Sequence, residues 1–310
     1  MTGKYVTERL SADATGIARA AELLRDGRLV ALPTETVYGL AARADSDAAV
    51  ARIYAAKGRP SFNPLIVHIR SPSEAEDLAE LGKTARELAG AHWPGPLTLV
   101  LPRRRDASLA EAVSAGRATV ALRCPAHPLM RAVLAATGVP LAAPSANHSG
   151  FVSPTTAEHV LATLDGRIDA VLDGGACPEG VESTIAAVRP DGRIEVLRPG
   201  PIALRASAAS GGAIEAPGQL ASHYAPGKPL RLDAMIAEEG EFMIGFGVVE
   251  GHCTLSESGD PAEAAARLYA CLHQAARSPL HRIAVAPVPD DGVGVAINDR
   301  LRRAATPAEG

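Results

Sequence analysis

Short apolar runs, each preceded by a segment of helical period and a stop, constrain this chain more than any other feature. TGIARAAELLRDG (15–27) puts Ile17, Ala20, Ala21 and Leu24 at helical spacing, Gly27 ends it, and RLVAL follows as a short buried strand. The unit recurs. Ser46 or Asp47 can cap a helix through Val50, Ile53 and Tyr54 that stops at Lys57-Gly58 and leads into LIVHI at 65–69. Further strands are expected at 97–101, 119–123, 170–172, 183–188 and 194–198. Helices are expected at 73–81, with a Ser73-to-Glu76 capping box, and at 84–91, 127–137 and 155–164. Such interleaving predicts an α/β fold around one large sheet.

At about 206 the text changes to ASAASGGAIEAPGQLASHYAPGKP, which reads as a linker. EFMIGFG, a helix at 261–276, RIAVAP and a last helix at 295–304 then form a smaller α/β unit. The division expected is 1–205, a linker or lid at 206–228, and 229–310; 310 residues suffice for two cores.

With 47% hydrophobic and 21% charged residues, and no run of signal-peptide or membrane-spanning character, the expectation is a soluble cytoplasmic protein without membrane contact. Cys124, Cys177, Cys253 and Cys271 contain no C-x-x-C pair, so neither a disulfide framework nor a thiolate metal site is indicated. A net charge of -4 argues against a broad nucleic-acid-coating surface. Residues 1–205 hold 23 basic against 22 acidic side chains and the remainder 8 against 13, which favours the first part for an anionic ligand.

Four stretches could carry chemistry. In KGRPSFNPLIVHI (57–69), Gly58, Pro60 and Asn63-Pro64 fix the backbone around Lys57 and Arg59. Two such cations at the mouth of a sheet suit phosphate, although the same pair also suits a solvated helix end. LPTETVYGL (32–40) brings the hydroxyls of Thr34, Thr36 and Tyr38 into one turn, either to hold a small polar ligand or simply to bond the turn. LAAPSANHSG (141–150) presents Ser145 and Asn147 beyond a strand end, where open α/β sheets bind ligands. GVESTIAAV (180–188) and LRPGP (197–201) place Glu182, Ser183, Thr184 and Arg198 at strand ends. Other matches fail: Gly82-Lys83-Thr84 lacks the first phosphate-loop glycine, Asp77 standing in its place, and Gly292-x-Gly294 lacks a third glycine.

In this order PTETVYGL, KGRPSFNPLIVHI, HWPGPLT, TVALRCP, APSAN, ESTI, LRPG and SHYAP resemble the threonylcarbamoyl-AMP synthase family in its long form, over nearly the whole chain. The resemblance implies a YrdC-like twisted mixed sheet flanked by helices, with a smaller Rossmann-like second domain. It implies synthesis of L-threonylcarbamoyl-adenylate from L-threonine, bicarbonate and ATP with Mg²⁺, releasing pyrophosphate, as the first step toward a modified adenosine in tRNA. The partners implied are a downstream threonylcarbamoyl transferase and a weak tRNA contact.

Carried over residue by residue, Lys57 and Arg59 would be catalytic. Thr36, His68, Arg123, Ala143 and Ser183 would hold threonine. Arg59, Asn63, Thr119, Ser145, Asn147, Ser153, Arg198 and Tyr224 would serve the nucleotide, and the SHYAP segment (222–226) would be a lid. No protein nucleophile is required, because a threonine carbamate can itself attack the α-phosphate. Two alternatives stand beside this. A carbamoyl-transfer relative of hydrogenase maturation would normally bring paired zinc-binding cysteines, absent here. A non-catalytic RNA-binding module would want more than 3% aromatic residues for base stacking.

Overall fold

Side-chain caps and left-handed glycines cut the chain into its elements. The computed structural model describes residues 6–208, 214–219 and 223–306, so Ser222 of the SHYAP segment and parts of the linker lie outside the described residues. The first part runs β1 (Glu8–Leu10), α1 (Ala14–Arg25), β2 (Val30–Leu32), β3 (Gly39–Arg43), α2 (Asp47–Lys57), β4 (Ile66–His68), α3 (Pro72–Leu78), α4 (Lys83–His92) and β5 (Leu97–Pro102). It continues α5 (Glu111–Ser114), β6 (Thr119–Arg123), α6 (Pro128–Thr137), β7 (Leu141–Ala142), α7 (Ala157–Leu164), β8 (Ala170–Leu172), β9 (Thr184–Val188), β10 (Ile194–Arg198) and β11 (Ser207–Ala208). After it come β12 (Leu230–Arg231), β13 (Glu241–Gly245), β14 (Cys253–Thr254), α8 (Pro261–Arg277), β15 (Arg282–Val285) and α9 (Gly294–Ala305).

Asp13 and Ser46 cap α1 and α2 by accepting the backbone N–H of Gly16 and Ala49. Gly58 closes α2 at φ 63, with His148 Nε2 only 3.2 Å from where a Cβ would stand. The capping box expected at Ser73 and Glu76 is not formed. Pro72 suits the first helical position and starts α3 a residue earlier; Ser73 Oγ meets Ser71 Oγ, and Glu74 rather than Glu76 reaches back, accepting the N–H of Arg70 at 2.7 Å.

Among the described residues the large sheet has the order β1-β8-β2-β3-β7-β4-β6-β5-β9-β10-β11 and mixes parallel with antiparallel neighbours. The small sheet, β12-β15-β13-β14, is parallel throughout. On one side of the large sheet, Leu40, Val67, Leu99 and Leu122 join α2 residues Val50 and Ile53 in the main core. On the other side, Ile66, Val100, Ala121, Ile185 and Ala187 form a small cluster covered by Ala216. There the linker takes the place of a helix. Within the same stretch Ser207–Ala208 adds the edge strand beside β10.

Candidate active site

Strand ends gather one wall of a cavity. The turn after β2 is tied by Thr34, whose hydroxyl donates to Val37 O at 2.7 Å and accepts the N–H of Thr36 and Val37. This holds Thr36 Oγ1 2.9 Å from Thr34 Oγ1 and in reach of Arg123 Nη1 at 3.0 Å. Arg123 ends β6 directly beside His68 of β4, its register partner. The guanidinium also donates through Nε to Gly95 O and through Nη2 to Glu35 Oε1 at 2.6 Å, both partners of that ion pair being buried. Burial alone would raise the Glu35 carboxyl, but the Arg123 charge outweighs it and holds Glu35 below its usual range. Burial, with Arg123 adding to it, lowers His68 to about 3, so its imidazole is neutral at neutral pH; its Nδ1 has no partner among the described residues. Ser183 Oγ lies 2.8 Å from Thr98 Oγ1, and Ala143 completes this wall.

The facing wall is cationic. Arg59 is fixed by Asn63, which accepts from Nη2 at its Oδ1 (2.6 Å) and from Nε at its carbonyl (3.1 Å). Burial lowers Arg59 to about 10, still charged at neutral pH. Arg198, at the end of β10, donates Nε and Nη2 to Ser183 O and Nη2 to Ser183 Oγ. Ser145 lies on this wall, and Pro217, Gly218, His223 and Tyr224 of the linker close it. Gly218, at φ 82, brings the linker within 2.8 Å of Arg198 Cδ and 3.1 Å of Tyr224 Oη, measured from the position a Cβ would take. Tyr224 itself has φ 64, a left-handed conformation for a non-glycine residue.

The structure brings Thr36, Arg59, His68, Arg123, Ala143, Ser145, Ser183, Arg198 and Tyr224 around one cavity of about 40 Å³. Other expected residues stand behind it. Lys57 is not at the mouth of the sheet: it is 1% exposed, and its ammonium donates to Ser145 O (2.6 Å), Asn147 O (2.5 Å) and Asn147 Oδ1 (3.4 Å). Its position under a folded loop, rather than at a helix end in water, follows from those acceptors. Asn147 holds the same loop by donating to His148 O and Phe151 O. Asn63 acts through Arg59, and Ser153 donates to Glu182 at 2.5 Å. Thr119 lies four residues before Arg123 on β6, on the same face by strand alternation but outside the cavity lining. Tyr38 leaves the three-hydroxyl turn altogether, because its ring enters the core and its hydroxyl bonds Gly175 O and Gly174 N.

Two carboxylates were given no role by the sequence. Glu35 lies between Thr34 and Thr36 and could have been flagged as a charge inside a buried strand-turn. Glu182 lines the cavity while accepting from Ser153, Tyr269 Oη (2.7 Å) and Arg300 Nε (2.9 Å). Burial would raise it; Arg300, Arg198 and the Ser153 bond prevail and lower it to about 2. Nothing near Glu182 in sequence announces a partner more than a hundred residues on.

Residues 22–200 match a family model described as "Telomere recombination", and residues 182–306 match one described as "Threonylcarbamoyl-AMP synthase, C-terminal domain". A threonylcarbamoyl-AMP synthase of Bacillus subtilis is 42% identical, with 97% of this chain and 96% of that one covered. One from Pyrococcus abyssi is 38% identical, with 92% and 93% covered. The solved structure of P. abyssi Sua5 complexed with L-threonine superposes with a TM-score of 0.85 at 33% identity, covering 97% of each chain.

Proposed function

Because the chain belongs to the threonylcarbamoyl-AMP synthase family, we propose that it makes L-threonylcarbamoyl-adenylate from L-threonine, bicarbonate and ATP, releasing pyrophosphate, on the way to modified tRNA. The observation that carries this reading is the two-walled cavity: a guanidinium, a neutral imidazole and hydroxyls on one side, two buried arginines and a tyrosine on the other. The first wall suits an amino acid. Arg123 takes the carboxylate, its plane already set by Glu35, Thr36 and Gly95, and Thr36 and Ser183 receive the remaining polar groups. The second suits a nucleotide, with Arg59 and Arg198 facing its phosphates and Ser145 and Tyr224 beside it.

Bicarbonate takes up a proton and loses water to give carbon dioxide; the threonine ammonium gives up two protons, one to bicarbonate and one to solvent, as its nitrogen bonds that carbon, giving a carbamate. A carbamate oxygen then attacks the α-phosphorus as the bond to pyrophosphate breaks. The protein's part is to orient the two substrates and neutralise phosphoryl charge. Mg²⁺ enters as part of the ATP substrate. Its ligands there would come mainly from the phosphates and water, as is usual for Mg²⁺ bound with a nucleotide.

A cavity of about 40 Å³ has room for a few waters, far less than ATP needs, so the linker lies in a covering position and must move to admit the nucleotide. Covering also protects the carbamate from water. The labile product is handed to a threonylcarbamoyl transferase, with at most a weak tRNA contact, in the cytoplasm. No helix among the described residues is long and apolar enough to cross a membrane.

The test is pyrophosphate release with Mg²⁺–ATP, with and without L-threonine and bicarbonate. Release that needs both co-substrates is the expected result. Release that ignores threonine would discard the assignment of the first wall, and tRNA binding without any turnover would favour an RNA-binding module.

A further inference from the structure

The C-terminal helix α9 supplies none of the residues lining the cavity, yet three of its contacts end on residues that do. His223 N donates to Arg303 O at 3.3 Å. The Arg300 guanidinium lies 5.4 Å from the centre of the Tyr224 ring. Arg300 Nε also donates to Glu182 Oε2 at 2.9 Å. Tyr269 of α8 repeats the pattern, with its ring 5.8 Å from that of Tyr224 and its hydroxyl on the same Glu182 oxygen.

Arg300 is wholly buried, with Nη1 on Asp299 Oδ2 at 2.8 Å. A buried guanidinium holds its surroundings to one geometry, because its donors lie in a rigid plane. From Glu182 the link continues to its neighbour Ser183, whose carbonyl and hydroxyl carry Arg198. One route out of Arg300 therefore ends on Tyr224, and the other passes through Ser183, which bounds both walls, to Arg198. Neither ends on Arg123, Thr36 or His68, which rest on strands of the large sheet.

We propose that Arg300 is a positioning residue for adenylate synthesis: its single guanidinium seats Tyr224 over the cavity and fixes the Glu182–Ser183 entrance of β9 beneath it. The nucleotide wall is then assembled on the C-terminal helix, and the small domain has a task in catalysis without touching either substrate. This rests on the synthase reading above.

The experiment is a double-mutant cycle in the full chain. Arg300→Lys keeps a cation opposite Glu182 but loses the planar face over Tyr224. Arg300→Met with Glu182→Gln removes both charges, so that no carboxylate is left buried alone if the lysine variant does not fold. Each is combined with Tyr224→Ala. The readouts are half-saturation for ATP and for threonine in pyrophosphate release, with a melting curve for each variant. Expected is a rise of about tenfold for ATP, a smaller rise for threonine through Ser183, and a combined effect with Tyr224→Ala well below the product of the two. Effects that multiply with Tyr224→Ala, equal losses for both substrates, or no change would each overturn the proposal. Unaltered protein that releases no pyrophosphate would instead bring down the synthase reading, and the inference with it.

Discussion

The two walls of the cavity are built differently. The Arg123 wall rests on strand ends and one turn of the large sheet, with every support inside the first part of the chain. The facing wall takes Arg59 from a helix–strand loop, Arg198 from a strand end and Tyr224 from the linker, and is backed by α8 and α9. The first is fixed by register, which allows little adjustment without flipping side chains to the other face. The second depends, for Tyr224, on the packing of the linker against α8 and α9.

The sharpest way to break the comparison is Arg123→Ala. It should leave Glu35 buried without its ion pair, costing about 3–5 kcal/mol in chemical denaturation, and reduce pyrophosphate release by about a hundredfold or more. A stable variant impaired only in its use of ATP would assign Arg123 to the wrong wall. Lys57→Met comes next. If the ammonium is a tie for the Ser145–Asn147 loop, its loss should cost about 2–3 kcal/mol of stability, with ATP use impaired as a consequence. An unchanged denaturation midpoint with collapsed turnover would show instead that Lys57 meets the phosphates directly.

Tyr224→Ala should lower stability, since the ring is buried in the core beside α8, and raise half-saturation for ATP about tenfold, leaving threonine within about twofold. Wild-type values for both substrates would remove the linker from the nucleotide wall. The last prediction concerns the pH dependence of stability rather than the effect of a substitution. His68 on one wall, His223 on the other and His273 behind them are all lowered to about 3, by burial first. Unfolded histidines bind protons near 6.5, so the stability tied to keeping these three neutral is full above that pH and is lost as pH falls toward 3. Each group contributes a slope of up to about 1.4 kcal/mol per pH unit. A denaturation midpoint that stays flat from pH 7 to 5 would contradict the burial of these imidazoles.

Element placement was largely legible because most central strands of the large sheet are short apolar runs with turn residues at their ends. TVALR, AVL and IEVLR became β6, β8 and β10 without a shift of boundary. Gly39–Arg43 was missed as a strand because GLAAR follows directly on a turn that drew attention for its hydroxyls. Cavity-lining residues next to glycine or proline turns, such as Arg59, Ser145 and Arg198, were legible from their local setting. Tyr38 was misread for a related reason: a tyrosine in such a turn has two destinations, and only packing against Val50 and its neighbours sends the ring inward.

The sequence by itself determined the α/β architecture, the change of composition at the linker, and the order of motifs that marks the family, since all of these are written in neighbouring residues. Only the tertiary structure decided that Lys57 is an internal tie, that Glu35 orients Arg123, and that Glu182 joins Ser153 to Tyr269 and to Arg300, residues far from it in the chain. The physical reason is the cost of leaving a buried charge or hydrogen-bonding group without a partner. That cost selects a partner by proximity in space, which the spacing of residues along the chain does not encode.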